Sequence, residues 1–348
     1  MQKCKVAFFD TKPYDRIFFD EENKKYSFEI KYFKNHLNIE TAHLSDGYDM
    51  ICAFVNDSID KNVVDVLCKS KIKLIALRCA GYNNVDLKAV YGRIHVVRVP
   101  EYSPHAVAEH AVALMLTLNR KTHRAYYRTR DGNFSINNLL GFDMYDKTVG
   151  IIGTGKIGKC AIDILTGFGM KILAYDLHPD KEYADKMHFR YVSLSELYHD
   201  SDIISLHCPL TPETQYMINE KTIAQMKNGV MIINTGRGKL IKTHDLIEGL
   251  KVGRVGYAGL DVYEEESEYF FEDFSSSMIS DDVLARLLTF PNVLITSHQG
   301  FFTKEALGNI AKTTFENIIE YLDGKYLKNE ICYRCNETCR KKMGKRCF

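Results

Sequence analysis

The amino-acid sequence predicts an α/β protein that is built from two parallel-sheet domains. Three observations lead to this prediction. Short apolar runs alternate with polar segments of helical length, which is the pattern of β-α-β units. The chain has 348 residues, enough for roughly two domains, and 45% of its residues are hydrophobic. A glycine-rich turn stands at 153–158, after a first series of apolar runs is already complete.

Composition narrows the class of protein. The formal net charge is only +1, so no strong field favours binding to nucleic acid or to an anionic membrane. The N-terminus lacks the apolar stretch of a signal peptide, and no run approaches the roughly 18 apolar residues of a membrane span. We therefore expect a cytoplasmic protein. Six of the ten cysteines support this expectation, because they occur singly, as reduced thiols do: Cys4, Cys52, Cys68, Cys79, Cys160 and Cys208.

The N-terminal part of the chain predicts a sheet that has no nucleotide-binding turn of its own. Its apolar runs, each closed by a polar or turn residue, suit strands buried on both faces: 5–10, 50–57, 73–81 and 95–101. Arg78 follows the third run, near the carboxyl end of a strand, where open α/β sheets bind their ligands. From its position alone, Arg78 is equally consistent with a ligand-binding residue and with a surface arginine that caps a loop.

A long helix follows a domain boundary near residues 100–103. Pro100 ends the preceding strand, Ser103 is suited to cap a helix, and Pro104 fits its first position. A stripe at helical spacing is suited to internal packing or to a subunit interface. This stripe consists of Ala106, Val107, His110, Ala111, Leu114 and Leu118.

The segment 147–176 has the complete context of a dinucleotide-binding unit. A strand run leads into Gly153, Gly155 and Gly158, which have the spacing G-x-G-x-x-G, and a helical segment follows. A second strand run ends in Asp176, whose carboxylate can accept hydrogen bonds from the adenosine ribose and repel a 2′-phosphate. We therefore predict a Rossmann-like domain that binds NAD rather than NADP. A structural glycine turn in a fold without a nucleotide is the alternative that this context disfavours.

Further apolar runs end in polar residues that are suited to chemistry. His207, Arg237, Asp261 and His298 each follow such a run. Because the carboxyl ends of parallel strands meet at one edge, we expect these side chains to gather at the crevice of the nucleotide-binding sheet. An arginine and a histidine at that edge indicate a catalytic site.

Four motifs, in this order, resemble the D-isomer-specific 2-hydroxyacid dehydrogenases: GTGKIG (153–158), NTGRG (234–238), GLDVYEEE (259–266) and SHQGF (297–301). LRCAGYNNVDL (77–87) and VPEYSPHAVAEH (99–110) are closely similar to the fermentative D-lactate dehydrogenases among them. The resemblance covers roughly residues 3–330 and implies a Rossmann-like NAD domain inserted in a flavodoxin-like substrate domain. The expected division is 1–101 and 300–331 for the substrate domain, 102–299 for the NAD domain and 332–348 for a tail.

The resemblance implies reversible reduction of pyruvate to D-lactate by a homodimer or homotetramer. Arg237 is implied to hold the substrate carboxylate, for which a guanidinium is suited because it binds bidentately. His298 is implied to be the acid–base group and Glu266 its partner, since a neighbouring carboxylate favours the cationic histidine. Substrate contacts are implied for Arg78, Ala80, Gly81 and Tyr102. Cofactor contacts are implied for Gly153, Gly155, Lys156, Ile157, Gly158, Asp176, Cys208, Pro209, Thr214, Thr235, Gly236 and Asp261.

The chain departs from the family pattern in three places. Gly236 stands where many relatives have serine, and Ser297 where many have proline, which bears on cofactor affinity. The tail beyond residue 331 holds cysteines whose C-x2-C-x3-C spacing suits Zn²⁺: Cys332, Cys335, Cys339 and Cys347. The alternative is a disordered basic extension. Because the tail has few apolar residues to support a metal site, we expect none.

Two other functions remain consistent with the sequence. Within the enzyme class, the substrate could be a bulkier 2-oxoacid such as phenylpyruvate or 2-oxoisocaproate. Outside it, the family includes NAD-sensing corepressors, which are interaction proteins. The chain contains nothing that resembles their partner-binding extensions.

Overall fold

A computed structural model describes residues 4–265, 269–334 and 346–348 of the chain. The chain divides into two units, one formed by Met1–Ser103 with Phe302–Phe348 and the other by Pro104–Phe301. Each unit contains a mainly parallel sheet with helices, so the predicted α/β fold class is confirmed. Within the described ranges, no helix has both the length and the apolar character that crossing a membrane requires.

The first unit starts with strands and helices in alternation. Its N-terminal elements are β1 (Lys5–Phe8), α1 (Pro13–Asn23), β2 (Glu29–Tyr32), β3 (Met50–Ala53), α2 (Lys61–Lys69), β4 (Leu74–Leu77), α3 (Leu87–Val90) and β5 (His95–Val97). Strands β3 and β4 are buried along their whole length, as their continuous apolar runs predict. The Asp60 carboxylate accepts a hydrogen bond from the Val63 N–H and thereby caps the start of α2.

The second unit continues the alternation around a larger sheet. Its elements are α4 (Pro104–Arg120), α5 (Thr122–Arg130), β6 (Thr148–Ile152), α6 (Lys156–Gly167), β7 (Lys171–Tyr175), α7 (Lys181–Met187), β8 (Arg190–Tyr191), α8 (Leu194–Asp200), β9 (Ile203–Leu206), α9 (Glu220–Ile223), β10 (Val230–Asn234), α10 (Thr243–Lys251), β11 (Val255–Leu260), α11 (Asp282–Leu288) and β12 (Val293–Ile295). The stripe of α4 is buried internally, because this helix packs against α6 and the sheet.

The chain then returns to the first unit and completes its sheet. The returning elements are α12 (Lys304–Leu322) and β13 (Glu330–Ile331). In the described residues the sheet has the order β13-β5-β4-β3-β1-β2, and β13 is antiparallel to β5. Helix α12 lies against α1 and β4. The sheet of the first unit is therefore doubly wound and parallel except at one edge.

The sheet of the second unit aligns the ends of its strands. Its described strands run in the order β12-β11-β10-β9-β6-β7-β8 and are all parallel. The last residues of the central strands are in register, since Ile152 pairs with both Tyr175 and Leu206. The switch in strand order lies between β6 and β9, where ligands bind in folds of this kind.

Three short edge strands were not anticipated from the sequence. Strand β2 alternates exposed and half-buried residues, and β8 and β13 have two residues each. An edge strand is buried on fewer sides, so it lacks the continuous apolar run by which the central strands are recognised.

The described end of the tail packs on the first unit. The Arg346 guanidinium donates hydrogen bonds to the carbonyls of Glu320, Tyr321 and Lys325, at the C-terminal end of α12. Cys332 and Cys347 are buried in one small cluster. Cys335 and Cys339 lie outside the described residues, and the expected absence of a metal site stays a prediction.

Candidate active site

The residues that follow the strands of the second unit share one edge of its sheet. Asn234, Leu260 and Ile295 are in register at the ends of β10, β11 and β12. Arg237 follows β10 by three residues, and His298 follows β12 by three residues. The two side chains that are suited to a 2-oxoacid are thus carried by loops at the same edge.

The three glycines of the β6–α6 turn have three different roles. Gly153 has a φ of +95°, and a Cβ there would lie 2.6 Å from the backbone nitrogen of Cys208. A Cβ on Gly158 would lie 2.0 Å from the Gly153 carbonyl oxygen, so this glycine permits α6 to approach the turn. A Cβ on Gly155 would meet no atom within 4 Å. Gly155 therefore faces open space at the N-terminus of α6, beside Lys156 and Ile157, where a pyrophosphate binds in Rossmann folds.

Asp176 directly follows β7 and is tied to the glycine turn. Its Oδ2 accepts hydrogen bonds from the Thr154 N–H at 2.6 Å and the Thr154 hydroxyl at 3.1 Å, and its Oδ1 accepts from the His178 N–H at 2.8 Å. Burial opposes the charge, but these hydrogen bonds hold the pKa of the Asp176 carboxyl below its ordinary value. The side chain is therefore a half-buried anion at neutral pH.

The loop after β9 carries three predicted cofactor residues. The Thr214 hydroxyl donates to the Pro209 carbonyl at 2.7 Å, which fixes the shape of the loop. Burial raises the pKa of the Cys208 thiol to about 11, so this cysteine stays a neutral thiol. His207 is also neutral at physiological pH, because burial lowers its pKa to about 4. This histidine is consequently unsuited to act as a cationic acid.

Asn234, which was not predicted as a site residue, shapes the loop that carries Arg237. Its side chain donates to the Arg237 carbonyl at 2.9 Å and accepts from the Gly236 N–H at 3.0 Å. The Arg237 guanidinium donates to the Gly236 carbonyl at 2.7 Å and is half-buried. The Thr235 hydroxyl in this loop is buried and has no hydrogen-bond partner in the described residues. The sequence contains a feature that could have indicated Asn234, because this polar residue closes the apolar run VMIIN.

Asp261 organises the loop that carries His298. Its backbone carbonyl accepts from the His298 N–H at 2.8 Å. Its carboxylate accepts from the Gln299 and Gly300 N–H groups at 2.8 Å each and from the Thr296 hydroxyl at 2.6 Å. The His298 ring is half-buried and lies 5.9 Å from the Phe271 ring, measured between centroids.

Glu266, the predicted partner of His298, lies outside the described residues. Its two neighbours in the EEE run have other contacts. The Glu264 carboxylate accepts a hydrogen bond from the Thr243 N–H at 2.7 Å, and Glu265 lies 3.5 Å from the Lys239 ammonium. The pairing of Glu266 with His298 therefore stays a prediction.

Arg78 lies in the core of the first unit, and its expected contact with the substrate carboxylate stays a prediction. The residue is 2% exposed, and its terminal nitrogens donate to the Phe9 carbonyl at 3.0 Å and the Asp10 carbonyl at 2.6 Å. Burial opposes the charge, but nearby acidic groups, Asp15 first, hold the pKa of the guanidinium above its ordinary value. The sequence located Arg78 correctly at the end of β4, but it could not reveal that the loop after β1 encloses the side chain.

The remaining predicted substrate residues lie at the surface of the first unit. Ala80, Gly81 and Tyr102 are half-buried. The Ala80 carbonyl accepts a hydrogen bond from the Arg98 guanidinium at 2.6 Å, and the Tyr102 carbonyl accepts one from the Asn309 side chain at 2.7 Å. Arg98 and Asn309 therefore fix the backbone of these segments, a role that nothing in their sequence context indicated.

Comparison with known proteins identifies what this arrangement is similar to. Residues 112–300 match the model of the D-isomer specific 2-hydroxyacid dehydrogenase NAD binding domain. The chain is 50% identical to the D-lactate dehydrogenase of Escherichia coli over 328 residues, which are 94% of this chain and 99% of that protein. It is 50% identical to a 2-hydroxyacid dehydrogenase homolog of Haemophilus influenzae over 329 residues, with the same coverage.

Solved structures agree with these sequence relatives. The apo D-lactate dehydrogenase of Escherichia coli superposes with a TM-score of 0.87 at 48% identity and covers 94% of this chain and 99% of its own. The pyruvate reductase of Chlamydomonas reinhardtii has a TM-score of 0.90 at 44% identity, with 94% and 98% covered. The D-lactate dehydrogenase of Lactobacillus jensenii with NAD⁺ has a TM-score of 0.79 at 32% identity, with 94% and 99% covered.

Proposed function

The chain belongs to the D-isomer specific 2-hydroxyacid dehydrogenase family, and from that membership we propose that it reduces pyruvate to D-lactate, reversibly, with NADH. The observation that carries this proposal is the pair of loops at one sheet edge that present Arg237 and His298 beside a complete dinucleotide-binding turn. An arginine that binds a carboxylate and a histidine that transfers a proton are the groups that reduction of a 2-oxoacid needs from the protein.

The residues at the sheet edge fit a dinucleotide. Gly155 leaves open space at the N-terminus of α6 for a pyrophosphate, and the buried Thr235 hydroxyl has a free hydrogen-bonding capacity in the described residues. Gly236 adds no side chain next to that hydroxyl. Asp176 would accept the ribose hydroxyls as an anion, and its neighbours 177–180 include no arginine for a 2′-phosphate. We therefore propose NAD rather than NADP.

Other predicted cofactor residues lie at the same edge. Lys156 and Ile157 begin α6, whereas Cys208, Pro209 and Thr214 belong to the loop after β9. A cofactor that is bound here supplies the hydride of the reaction.

The protein groups would act on the substrate as follows. Arg237 binds the carboxylate of pyruvate through two parallel N–H groups, and its charge polarises the adjacent keto group. His298 donates a proton to the keto oxygen in reduction and removes it from the hydroxyl of D-lactate in oxidation. Glu266 stabilises the cationic form of His298. Asp261 holds the backbone of the His298 loop and so keeps the donor nitrogen in place.

We assign the substrate contacts of the first unit to Ala80, Gly81 and Tyr102. The backbone at Ala80 and Gly81 would meet the carboxylate, and Tyr102 would bound the side chain of the 2-oxoacid. The contact of Arg78 with the substrate carboxylate stays a prediction, and its terminal nitrogens are bound to the carbonyls of Phe9 and Asp10.

A substrate panel tests this function. The initial rate of NADH oxidation is measured with pyruvate, 2-oxoisocaproate and phenylpyruvate, and the product is analysed for chirality. We expect the highest kcat/KM with pyruvate and D-lactate as the product. A preference for a bulkier 2-oxoacid would replace the proposed substrate, and tight NADH binding without turnover would favour a sensor over an enzyme. His298→Gln is the matched variant, and it should lose at least about two orders of magnitude in kcat while it still binds NADH.

We also propose that the chain functions as a homo-oligomer. The segment 126–145 exposes a group of large apolar side chains in the second unit: Tyr126, Tyr127, Phe134, Ile136, Leu140 and Tyr145. Clustered apolar exposure of this kind is typical of an interface rather than of free surface.

A further inference from the structure

His110 stands in the apolar stripe of α4, yet its ring makes polar contacts. Its Nε2 lies 3.0 Å from the Thr296 hydroxyl oxygen and 3.2 Å from Asp261 Oδ1. The imidazole is 16% exposed, and Asp261 is 1% exposed. A histidine on a buried helix face is thus directed at the carboxylate around which the loop 296–300 is folded.

The contacts fix which atom carries the proton. The Thr296 hydroxyl has a single hydrogen, and its short contact with Asp261 Oδ1, at 2.6 Å, makes it the donor to that carboxylate. An ionised carboxylate only accepts. Both partners of the His110 Nε2 are therefore acceptors, and this nitrogen must be the donor. The structure assigns an N–H on Nε2 that is shared between Thr296 and Asp261.

The loop that Asp261 gathers is held in an unfavourable conformation. His298 has a φ of +48°, a left-handed backbone that is uncommon for a residue with a side chain and persists only where its surroundings enforce it. The enforcing contacts on either side are the N–H groups of His298, Gln299 and Gly300, all bound to Asp261. Gly300 is packed tightly here, because a Cβ would lie 2.9 Å from Asp261 Oδ2 and 3.5 Å from His110 Cδ2.

We propose that His110 is a positioning residue of the active site, which anchors the Asp261 carboxylate to α4 and thereby fixes the loop that carries His298. The proposal rests on the proposed function, in which His298 transfers the proton. Without the Nε2 donor, Asp261 Oδ1 loses a partner in a buried site and the Thr296 hydroxyl loses the hydrogen bond that ties it to α4. The loop then relaxes, and His298 spends less time in the geometry of proton transfer.

Two substitutions at this position separate hydrogen bonding from packing. His110→Leu removes the donor and keeps a buried side chain, whereas His110→Gln places an amide N–H near the position of Nε2. We expect the leucine variant to lose about tenfold to a hundredfold in kcat for pyruvate, a larger change than in the Kd for NADH. The glutamine variant should recover most of that loss. His105→Leu is the control, because His105 is an exposed residue of the same helix whose contact with Cys160 is at 3.8 Å.

Three results would contradict the proposal. If the leucine and glutamine variants are equally slow, the position matters for packing alone. If the leucine variant has a lower Tm but the parental kcat, His110 does not position the loop. A double variant with Thr296→Val should be less impaired than the two single effects combined, since both residues act on one carboxylate. Full additivity would contradict the shared network.

A second readout keeps the test independent of the reaction. Hydrogen–deuterium exchange of the peptide that contains 296–300 should accelerate in His110→Leu and stay near the parental rate in His110→Gln. If the parent enzyme failed to reduce pyruvate, the proposed function would fall, but this exchange measurement would still report whether His110 anchors the loop. Unchanged exchange in the leucine variant would exclude the anchor itself.

Discussion

At the scale of single residues, the Asp176 carboxylate decides between two cofactors. It is anionic at neutral pH, and it is bound to the turn that receives the pyrophosphate. Asp176→Ala removes the acceptor for the ribose hydroxyls and the charge that repels a 2′-phosphate. We expect kcat/KM to fall by about tenfold or more with NADH and to fall less, or to rise, with NADPH.

The measurement for Asp176 is the ratio of the two kcat/KM values, because this ratio cancels any general damage to the glycine turn. Such damage is expected, since the Thr154 N–H loses its partner. The control is Asp180→Ala, which removes an exposed carboxylate that pairs with Lys159. An unchanged NADH to NADPH ratio in Asp176→Ala would show that another group selects the cofactor.

The pH dependence of the reaction tests the role of Glu266. Reduction requires the cationic His298, and a neighbouring carboxylate favours that cation, so Glu266→Gln should move the alkaline fall of kcat/KM for pyruvate to lower pH. Activity at low pH should be largely retained, because the imidazolium still forms there. The measurement is a pH series of kcat/KM in parent and variant.

Glu264→Gln is the matched control for Glu266. The Glu264 carboxylate is bound to the Thr243 N–H, so its loss should leave the pH profile in place. A shift in the Glu264 variant together with an unchanged Glu266 variant would mean that the wrong glutamate of the run was assigned. If neither variant shifts the profile, the acid–base group is not stabilised by a carboxylate from this run.

At the scale of secondary-structure elements, the β6–α6 turn contains one glycine that the fold requires, Gly158, and one that cofactor binding requires, Gly155. Gly158→Ala would place a methyl group 2.0 Å from the Gly153 carbonyl, so α6 must shift and the free energy of unfolding should fall by about 1–3 kcal/mol. Gly155→Ala meets open space, so its Tm should stay near the parental value while NADH binding weakens. Thermal unfolding and NADH fluorescence titration measure the two effects. Equal losses of stability in both variants would contradict this division of roles.

The C-terminal residues 346–348 are predicted to stabilise the first unit without taking part in the reaction. Arg346 bonds to carbonyls at the end of α12, and the Phe348 ring stacks on the His95 ring at 4.2 Å. Deletion of residues 346–348 should lower the free energy of unfolding by about 2 kcal/mol and leave kcat near the parental value. A chain that stops after Glu330 should also retain a near-parental kcat. Loss of kcat, together with loss of bound zinc, would instead identify the tail as a functional metal site.

Glu330 gives this stabilisation a pH dependence. Its carboxylate lies 2.5 Å from His95 Nδ1 and accepts from the Cys347 N–H at 2.8 Å. Burial opposes the charge, but these contacts hold the pKa of the Glu330 carboxyl below its ordinary value of 4.5. A lowered pKa in the folded state stabilises the protein above pH 4.5, and the effect is lost as the pH falls through the folded value. The Tm difference between parent and deletion should therefore persist at neutral pH and shrink in acid.

At the scale of the whole molecule, the sequence predicted what depends on periodicity and on glycine geometry. The fold class and the enzyme family are confirmed, because central strands are continuous apolar runs and a glycine turn leaves a fixed spacing in the chain. Edge strands such as β2 were not predicted, since a partly buried strand has no continuous apolar run. The sequence also located the residues at the strand ends, because parallel strands bring their carboxyl ends to one edge.

What the sequence could not predict are contacts between distant segments. Arg78 follows a strand like a ligand-binding residue, but residues that precede it by more than sixty positions bind its guanidinium. His110 fits an apolar stripe by spacing, and only the folded chain brings it to Asp261. Asn234 determines the Arg237 loop through its own side chain. Such partners are set by tertiary folding, which local patterns do not encode.

The chain is predicted to assemble through an exposed apolar segment after α5. Phe134, Ile136 and Leu140 are 78%, 81% and 87% exposed in one short segment after α5, although apolar side chains of this size gain free energy by burial. We expect a second copy of the chain to cover them. Replacing all three with serine should convert the parental oligomer to a smaller species in light scattering. Each dissociated copy of the chain should remain folded, because these exposed side chains contribute little to its hydrophobic cores.

The control for this experiment replaces exposed apolar residues elsewhere in the same unit. Val252 and Met278 are 77% and 89% exposed but lie outside the segment 126–145, so serine at both positions should leave the oligomer intact. A monomeric parent would contradict the assembly outright. An unchanged oligomer in the triple variant would place the interface on another surface. If the triple variant dissociates and the control does not, the segment after α5 is the contact between copies, since the loss of exposed apolar side chains elsewhere in the same unit leaves the oligomer intact.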